Sequence, residues 1–183
     1  VATTVESDVV RATTVIGLVR DGRAAMAADG QVTLGDTVVK TTARKLRRLG
    51  DGSVLAGFSG SGADAFALLE KLEEKLESSR GNLPRAAVEM AREWRKDKYL
   101  RQLEALVAAV DSSHALMIGG AGDVVEAQDG IVCVGSGHAY ALAAARALQA
   151  HTNMKLSTIA RESIAIARDI CIYTGGEIQL EEL

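Results

Sequence analysis

Two Asp-Gly pairs constrain the front of this chain more than any other feature. Asp21-Gly22 stands between the apolar runs ATTVIGLVR and RAAMAADG, and Asp51-Gly52 stands between KLRRLG and SVLAGFSG. Asp-Gly flanked by apolar runs is the strongest short hairpin signal, because the favoured turn needs positive φ at its central residues. The first third is therefore expected to be antiparallel strands. The period then changes. Phe66, Leu68, Leu69, Leu72 and Leu76 recur at helical spacing in GADAFALLEKLEEKLESS, and Ala87, Ala91 and Trp94 do so behind Pro84 in PRAAVEMAREWRKDKYLRQLEA. Strands return in LVAAVD, HALMIGG, DVVEAQ and IVCVGS. Two further helices follow, GHAYALAAARALQAH and LSTIARESIAIARDICIYT, the second with Ser157 as a possible cap, and EIQLEEL closes the chain as a strand. Strands, two helices, strands, two helices and a strand do not alternate as βαβ units do. The order predicts antiparallel sheets covered by helices, a layered α+β fold in one domain.

Composition narrows the function classes. The 183 residues carry a net charge of −3, against the basic balance of a phosphate-neutralising nucleic-acid binder. Only one tryptophan, three tyrosines and two phenylalanines are present, so the core must be aliphatic. Cys133 and Cys171 are too few for a disulfide framework and suit a reducing compartment. No apolar run approaches the ~20 residues of a membrane helix, and VATTVESDVVRA lacks the basic and apolar regions of a secretory signal. These absences predict a soluble, cytoplasmic protein. His114, His138 and His151 have no metal-ligand spacing. The chain also lacks H-E-x-x-H, C-x-x-C, G-x-S-x-G and the phosphate loop G-x-x-x-x-G-K-[ST].

The first hairpin offers chemistry of another kind. With Asp21-Gly22 as a two-residue loop, Arg20 pairs with Arg23, Thr14 falls opposite Asp29 and Thr13 opposite Gly30. Were the chain cut before Thr13, a hydroxyl and a new α-amine would share a corner with Asp29. An amine of pKa ~8 is a competent base for its own side-chain hydroxyl. Read by itself, Thr13 is an ordinary β-branched strand residue. Ala-Thr-Thr-Val occurs at 2–5 as well as 12–15, but Thr3 has no such pairing with Asp29.

Seven ordered motifs extend from Thr13 towards the C-terminus: TTV at 13–15, DGQVTLG at 29–35, RKLRRL at 44–49, LAGFSGSGADAF at 55–66, EWRKDKYLRQLEA at 93–105, GSG at 135–137 and DICIYT at 169–174. In these the chain resembles the HslV (ClpQ) family of bacterial proteasome-like peptidases. The resemblance implies the four-layer αββα sandwich of N-terminal nucleophile hydrolases. Residues 1–12 would be an N-terminal extension, a propeptide, and 13–183 the peptidase domain. It places the nucleophile on Thr13, with its own amine as general base, the acidic partner on Asp29 and the site lysine on Lys45. The Gly57 amide would supply the oxyanion hole, and Ser136 would support the threonine amine. The family reads GSGG where this chain reads GSGH, so His138 departs from the pattern. A sodium ion held by the backbone carbonyls of Arg168, Cys171 and Thr174 is implied, with no catalytic cofactor. Two stacked hexameric rings are implied as well, with HslU (ClpY), a hexameric AAA+ unfoldase, as the ATP-hydrolysing partner that feeds in unfolded polypeptides. The alternative is an unprocessed, inactive assembly subunit of the same fold. A non-enzymatic α+β binding module is disfavoured by the collinear Thr13, Asp29, Lys45 and Gly57.

Overall fold

The computed structural model describes residues 10–11, 13–60, 62–97, 105–119 and 122–183. Its elements are β1 (Val10–Arg11), β2 (Thr14–Arg20), β3 (Arg23–Ala28), β4 (Val32–Leu34), β5 (Thr37–Lys40), β6 (Leu46–Leu49), β7 (Val54–Ser59), α1 (Gly62–Ser78), α2 (Leu83–Lys96), β8 (Leu106–Val110), β9 (Ala115–Gly119), β10 (Val124–Glu126), β11 (Ile131–Gly135), α3 (His138–His151), α4 (Leu156–Ile170) and β12 (Gln179–Glu182). One sheet runs β11-β2-β3-β12 and a second runs β10-β9-β8-β7-β6, every pairing antiparallel.

Alternation along the strands sorts the aliphatic side chains into three cores. Val15, Met26, Ala28, Leu55, Ala108, Val110 and Val132 meet between the two sheets. Ile16, Leu18, Ala25 and Ala27 point the other way, against Ala141, Ala145, Ile159 and Ile164 of α3 and α4. On the far side, Val54, Ala56, Val107 and Ile118 pack against Leu68, Leu72, Met90 and Trp94 of α1 and α2. Period-2 strands bury residues on both faces here because helices cover each outer face. The result is the four-layer αββα sandwich.

The first hairpin has the expected register, with Arg20 opposite Arg23 and Val15 opposite Ala28. The second spans a longer loop, Leu49 pairing with Val54. α2 begins as expected, with Asn82 accepting from the Arg85 amide at 2.9 Å and Pro84 in the first turn. It ends at Lys96, where Asp97 N–H bonds the Glu93 carbonyl, short of the extent the sequence suggests; residues 98–104 of that expected helix lie outside the described residues. Ser157 is not a cap. Lys155 occupies the N-cap position of α4 without a side-chain bond, and Ser157 lies within the helix. A third small sheet, β1-β4-β5, stands apart from the two main ones.

Candidate active site

The site forms where β2 begins, β3 ends and β11 ends. Thr14 pairs with Gly135 on one side, and its carbonyl accepts from the Asp29 amide at 3.1 Å on the other. Thr13, immediately before, is 2% exposed, Asp29 1% and Lys45 3%. The hairpin thus carries threonine and aspartate to one buried corner. Lys45, contributed by the residue just ahead of β6, comes from a different part of the chain.

Asp29 is the hub. Its Oδ1 accepts from Thr14 N at 2.7 Å and Lys45 Nζ at 2.8 Å, and its Oδ2 from Gln31 N at 3.1 Å and Gly175 N at 3.0 Å. Four donors, two on each oxygen, fix the carboxylate in orientation. Lys45 Nζ also donates to the Gln31 carbonyl at 2.7 Å. An ammonium has three protons, so one remains for a group arriving at the corner. Burial pulls the Lys45 ammonium below the ordinary 10.5, and the charge and hydrogen bond of Asp29 work against that fall.

The turn after β11 closes the other side. Ser136 N–H donates to the Thr13 carbonyl at 2.8 Å, and Gly137 N–H donates to Thr14 Oγ1 at 2.9 Å. Ser136 thus meets the corner through its backbone, while its residue as a whole is exposed. It does not cap α3, whose N-cap is Gly137. His138 takes the first helical position, its Nδ1 2.8 Å from the Gly135 carbonyl. The Gly-Ser-Gly part is constrained by space. Gly135 has φ +99°, and a Cβ there would lie 2.0 Å from the Thr13 carbonyl oxygen. A Cβ on Gly137 would sit 2.5 Å from both Thr14 Oγ1 and Thr174 Oγ1.

Gly57 lies on β7 opposite Leu46 and Ala108. A Cβ there would meet Val15 Cγ1 at 2.7 Å, so glycine lets β7 approach the strand that carries Thr13.

Sequence reasoning overlooked the loop after α4 as part of the corner. Thr174 Oγ1 lies 2.7 Å from Thr14 Oγ1, Gly175 N–H reaches Asp29, and Gln31 Nε2 donates to the Ile172 carbonyl at 2.9 Å. Thr14 itself had a signal, its register opposite Asp29. The loop had only DICIYT, which pointed to an ion and not to contacts with Thr14 and Asp29, because those contacts are with groups distant in sequence.

That loop includes the expected sodium ligands. Arg168 lies in the last turn of α4 and Cys171 is its C-cap, whose carbonyl accepts from Thr174 N–H at 3.0 Å. Hard carbonyl oxygens at the negative end of a helix suit a small alkali cation, so the donor set fits the ion. Among the described residues no cluster of three or more His, Cys, Asp or Glu is arranged to hold a metal. Burial pushes the Cys133 thiol up to about 12, so it is no competing nucleophile at neutral pH.

Two β-sheets between paired helices, with a threonine, an aspartate and a lysine buried where the hairpin strands meet, define a proteasome-type subunit. The proteasome-subunit family pattern matches residues 9–183. The chain is 58% identical over 175 residues to the ATP-dependent protease subunit HslV of Chlorobium luteolum, covering 96% of each chain. It is 55% identical to that of Syntrophobacter fumaroxidans, covering 96% of this chain and 98% of the relative. The crystal structure of eukaryotic HslV from Trypanosoma brucei superposes with a TM-score of 0.87 at 42% identity, over 93% of this chain and 98% of that one. Thiobacillus denitrificans BPH shares the fold at a TM-score of 0.70 and 21% identity, over 93% and 97%. The chain belongs to the proteasome family and, within it, to the HslV subunits, and is a proteasome-like threonine peptidase. Among the described residues no helix is long and apolar enough to cross a membrane.

Proposed function

We propose that the chain is the proteolytic subunit of a cytoplasmic, ATP-dependent protease and acts as a threonine endopeptidase once residues 1–12 are removed. The observation that carries the reading is the buried Lys45–Asp29 pair, 2.8 Å apart and hydrogen-bonded to Thr14, at the start of the strand led by Thr13. The Thr13 amine takes the proton of its own hydroxyl as Oγ attacks the substrate carbonyl. The Lys45 ammonium lowers the pKa of that amine and keeps it able to accept a proton. The Gly57 N–H stabilises the oxyanion. As the tetrahedral intermediate collapses, the amine returns the proton to the leaving nitrogen, and water then hydrolyses the ester on Thr13. The backbone carbonyls of Arg168, Cys171 and Thr174 would hold a sodium ion, which would supply fixed positive charge at the end of α4. The loop's own residues do the positioning, Thr174 against Thr14 and Gly175 against Asp29.

A nucleophile for ordinary peptide bonds needs restricted access, and the HslV relatives are named as subunits of an ATP-dependent protease. The chain has no phosphate loop of its own, so ATP is handled by a partner. The assembly proposed is two stacked hexameric rings docked by the HslU AAA+ unfoldase, which activates the peptidase allosterically. Intact mass of the protein from its native source should correspond to a chain beginning at Thr13, and light scattering to a dodecamer. HslU with ATP should raise peptide turnover and enable degradation of folded proteins. A native chain that retains residues 1–12 and cleaves nothing would instead identify an inactive assembly subunit.

The pH profile tests the lysine separately. Activity should rise through the titration of the Thr13 amine, below the ordinary ~8 because of the Lys45 charge, and should fall again before 10.5 is reached, as Lys45 loses its proton. Stability moves the other way at this group. Because the folded pKa is lowered, the unfolded chain binds more protons between that value and 10.5, and the Lys45 contribution to stability increases with pH across the window. Rate profiles and denaturant unfolding at the same pH values should therefore diverge. An activity plateau persisting past 10.5 would contradict the assigned role.

A further inference from the structure

The link between β11 and α3 is short and is built into the site. β11 ends at Gly135 and α3 starts at His138, so only Ser136 and Gly137 join them. Both amides are committed to the corner, Ser136 N–H to the Thr13 carbonyl at 2.8 Å and Gly137 N–H to Thr14 Oγ1 at 2.9 Å. Glycines on either side of Ser136 leave this backbone free to rotate unless something pins it. Gly135 stands at φ +99°, in the left-handed region, packed against the Thr13 carbonyl. Gly137, the N-cap of α3, makes no side-chain cap bond.

His138 supplies the pin. Its Nδ1 lies 2.8 Å from the Gly135 carbonyl oxygen. A carbonyl only accepts, so Nδ1 carries the hydrogen in this contact. The Thr14 amide, across the ladder from Gly135, is engaged by Asp29 Oδ1 at 2.7 Å. The Gly135 carbonyl and the Ser136 amide are the two ends of one peptide unit, which is planar and trans. Such a unit points its C=O and N–H in opposite directions, so a hold on one end fixes the aim of the other. The imidazole grips the carbonyl end, and the N–H end grips Thr13. Rotation of the plane would break both bonds together.

We infer that His138 is a positioning residue for Thr13, its ring fixing the Gly135–Ser136 peptide plane whose N–H holds the Thr13 carbonyl. This rests on the reading of Thr13 as the nucleophile. Once Thr13 is a chain terminus, it is tied to the fold through its carbonyl side alone. The direction of its Oγ then follows from that tie, and small misplacements of a reacting atom are costly in rate. His138 acts through the backbone and takes no proton in the reaction. Glycine, which the family pattern has at this position, has no side chain with which to make the contact.

The test measures fluorogenic-peptide turnover by wild type, His138→Ala, His138→Asn and Thr13→Ala, all as assembled protein. For the His138 variants, turnover is expressed per chain beginning at Thr13, counted by intact mass. His138→Ala removes the donor and should lower kcat about three- to tenfold, the scale of one net hydrogen bond. KM should stay within about twofold, because substrate binding is untouched. His138→Asn places an N–H the same number of bonds from the backbone as Nδ1 and does not titrate. It should recover kcat to within about twofold of wild type. Helix propensity predicts another order, since alanine suits a helix better than histidine or asparagine. A merely structural role would therefore leave His138→Ala at least as stable and as active as wild type. Amide exchange across residues 134–138 should quicken in His138→Ala and not in His138→Asn. If Thr13→Ala retains turnover, or wild type has none, the nucleophile reading fails and the inference with it. If Thr13→Ala is inactive while His138→Ala keeps wild-type kcat, the positioning inference alone is overturned. The same holds if His138→Asn is slowed as much as His138→Ala, or if the loss falls in KM alone.

Discussion

Thr13→Ala leaves a folded protein without peptidase activity. The fall in peptide hydrolysis should be at least ~10³-fold, because the covalent route disappears and neither the Thr14 hydroxyl nor the Cys133 thiol is free to replace it. Thr14 Oγ1 is occupied by Gly137 N–H and Thr174 Oγ1, and the Cys133 thiol is held protonated by burial. The fold has little reason to change. Among the described residues the Thr13 side chain takes part in no hydrogen bond of the corner, where the clamp on residue 13 runs from Ser136 N–H to its carbonyl. Thr13→Ser restores a hydroxyl but loses the methyl that limits χ1, so it should recover part of the activity, below wild type. Hydrolysis of a fluorogenic peptide, with thermal unfolding on the same samples, checks both. Near-normal turnover by the alanine variant, with contamination excluded, would remove Thr13 from the mechanism.

What was legible in the sequence were features carried by local chemistry. Asp21-Gly22 dictated a turn, the turn dictated a register, and the register brought Thr14 to Asp29 as observed. Helical spacing likewise located α1 and the aliphatic faces that cover the sheets. Lys45 was different. Beside Arg44, Arg47 and Arg48 it reads as one more solvated cation, and only family resemblance singled it out; in the fold it is buried while Arg44 is exposed. That distinction depends on which side chain faces the sandwich interior when β6 pairs with β7, a long-range fact. The loop from Cys171 to Gly176 was least legible. Its amide at Gly175 and hydroxyl at Thr174 meet groups more than a hundred residues away; DICIYT pointed only to carbonyls for an ion, and Gly175 lies outside it. The pairing of β1 was equally hidden, since it needs β4 in place before it can form.

Lys45→Ala and Asp29→Asn should both abolish useful turnover yet separate in stability, and the order of that separation tests the geometry of the pair. Without the Lys45 ammonium the Thr13 amine loses the charge that lowers its pKa, and a loss of about 10²–10⁴ in kcat/KM is expected for a group in proton transfer. Breaking a buried pair often costs about 3–5 kcal/mol, because a charge is stranded. Asp29 is not stranded here. It keeps Thr14 N, Gln31 N and Gly175 N as donors, and removal of Lys45 also ends the burial cost that lowers its pKa. Lys45→Ala should therefore cost about 1–3 kcal/mol, nearer an ordinary lost charged hydrogen bond. Asp29→Asn is the harsher change. Each carboxylate oxygen accepts from two donors, so either placement of the amide NH₂ points a donor at two others. Lys45, 3% exposed, then lacks its counter-ion. A cost of about 3–5 kcal/mol follows. Denaturant unfolding of the two variants under identical conditions measures the difference. An Asp29→Asn protein as stable as Lys45→Ala would mean that Asp29 is not the hub joining β2, β4 and the loop after α4.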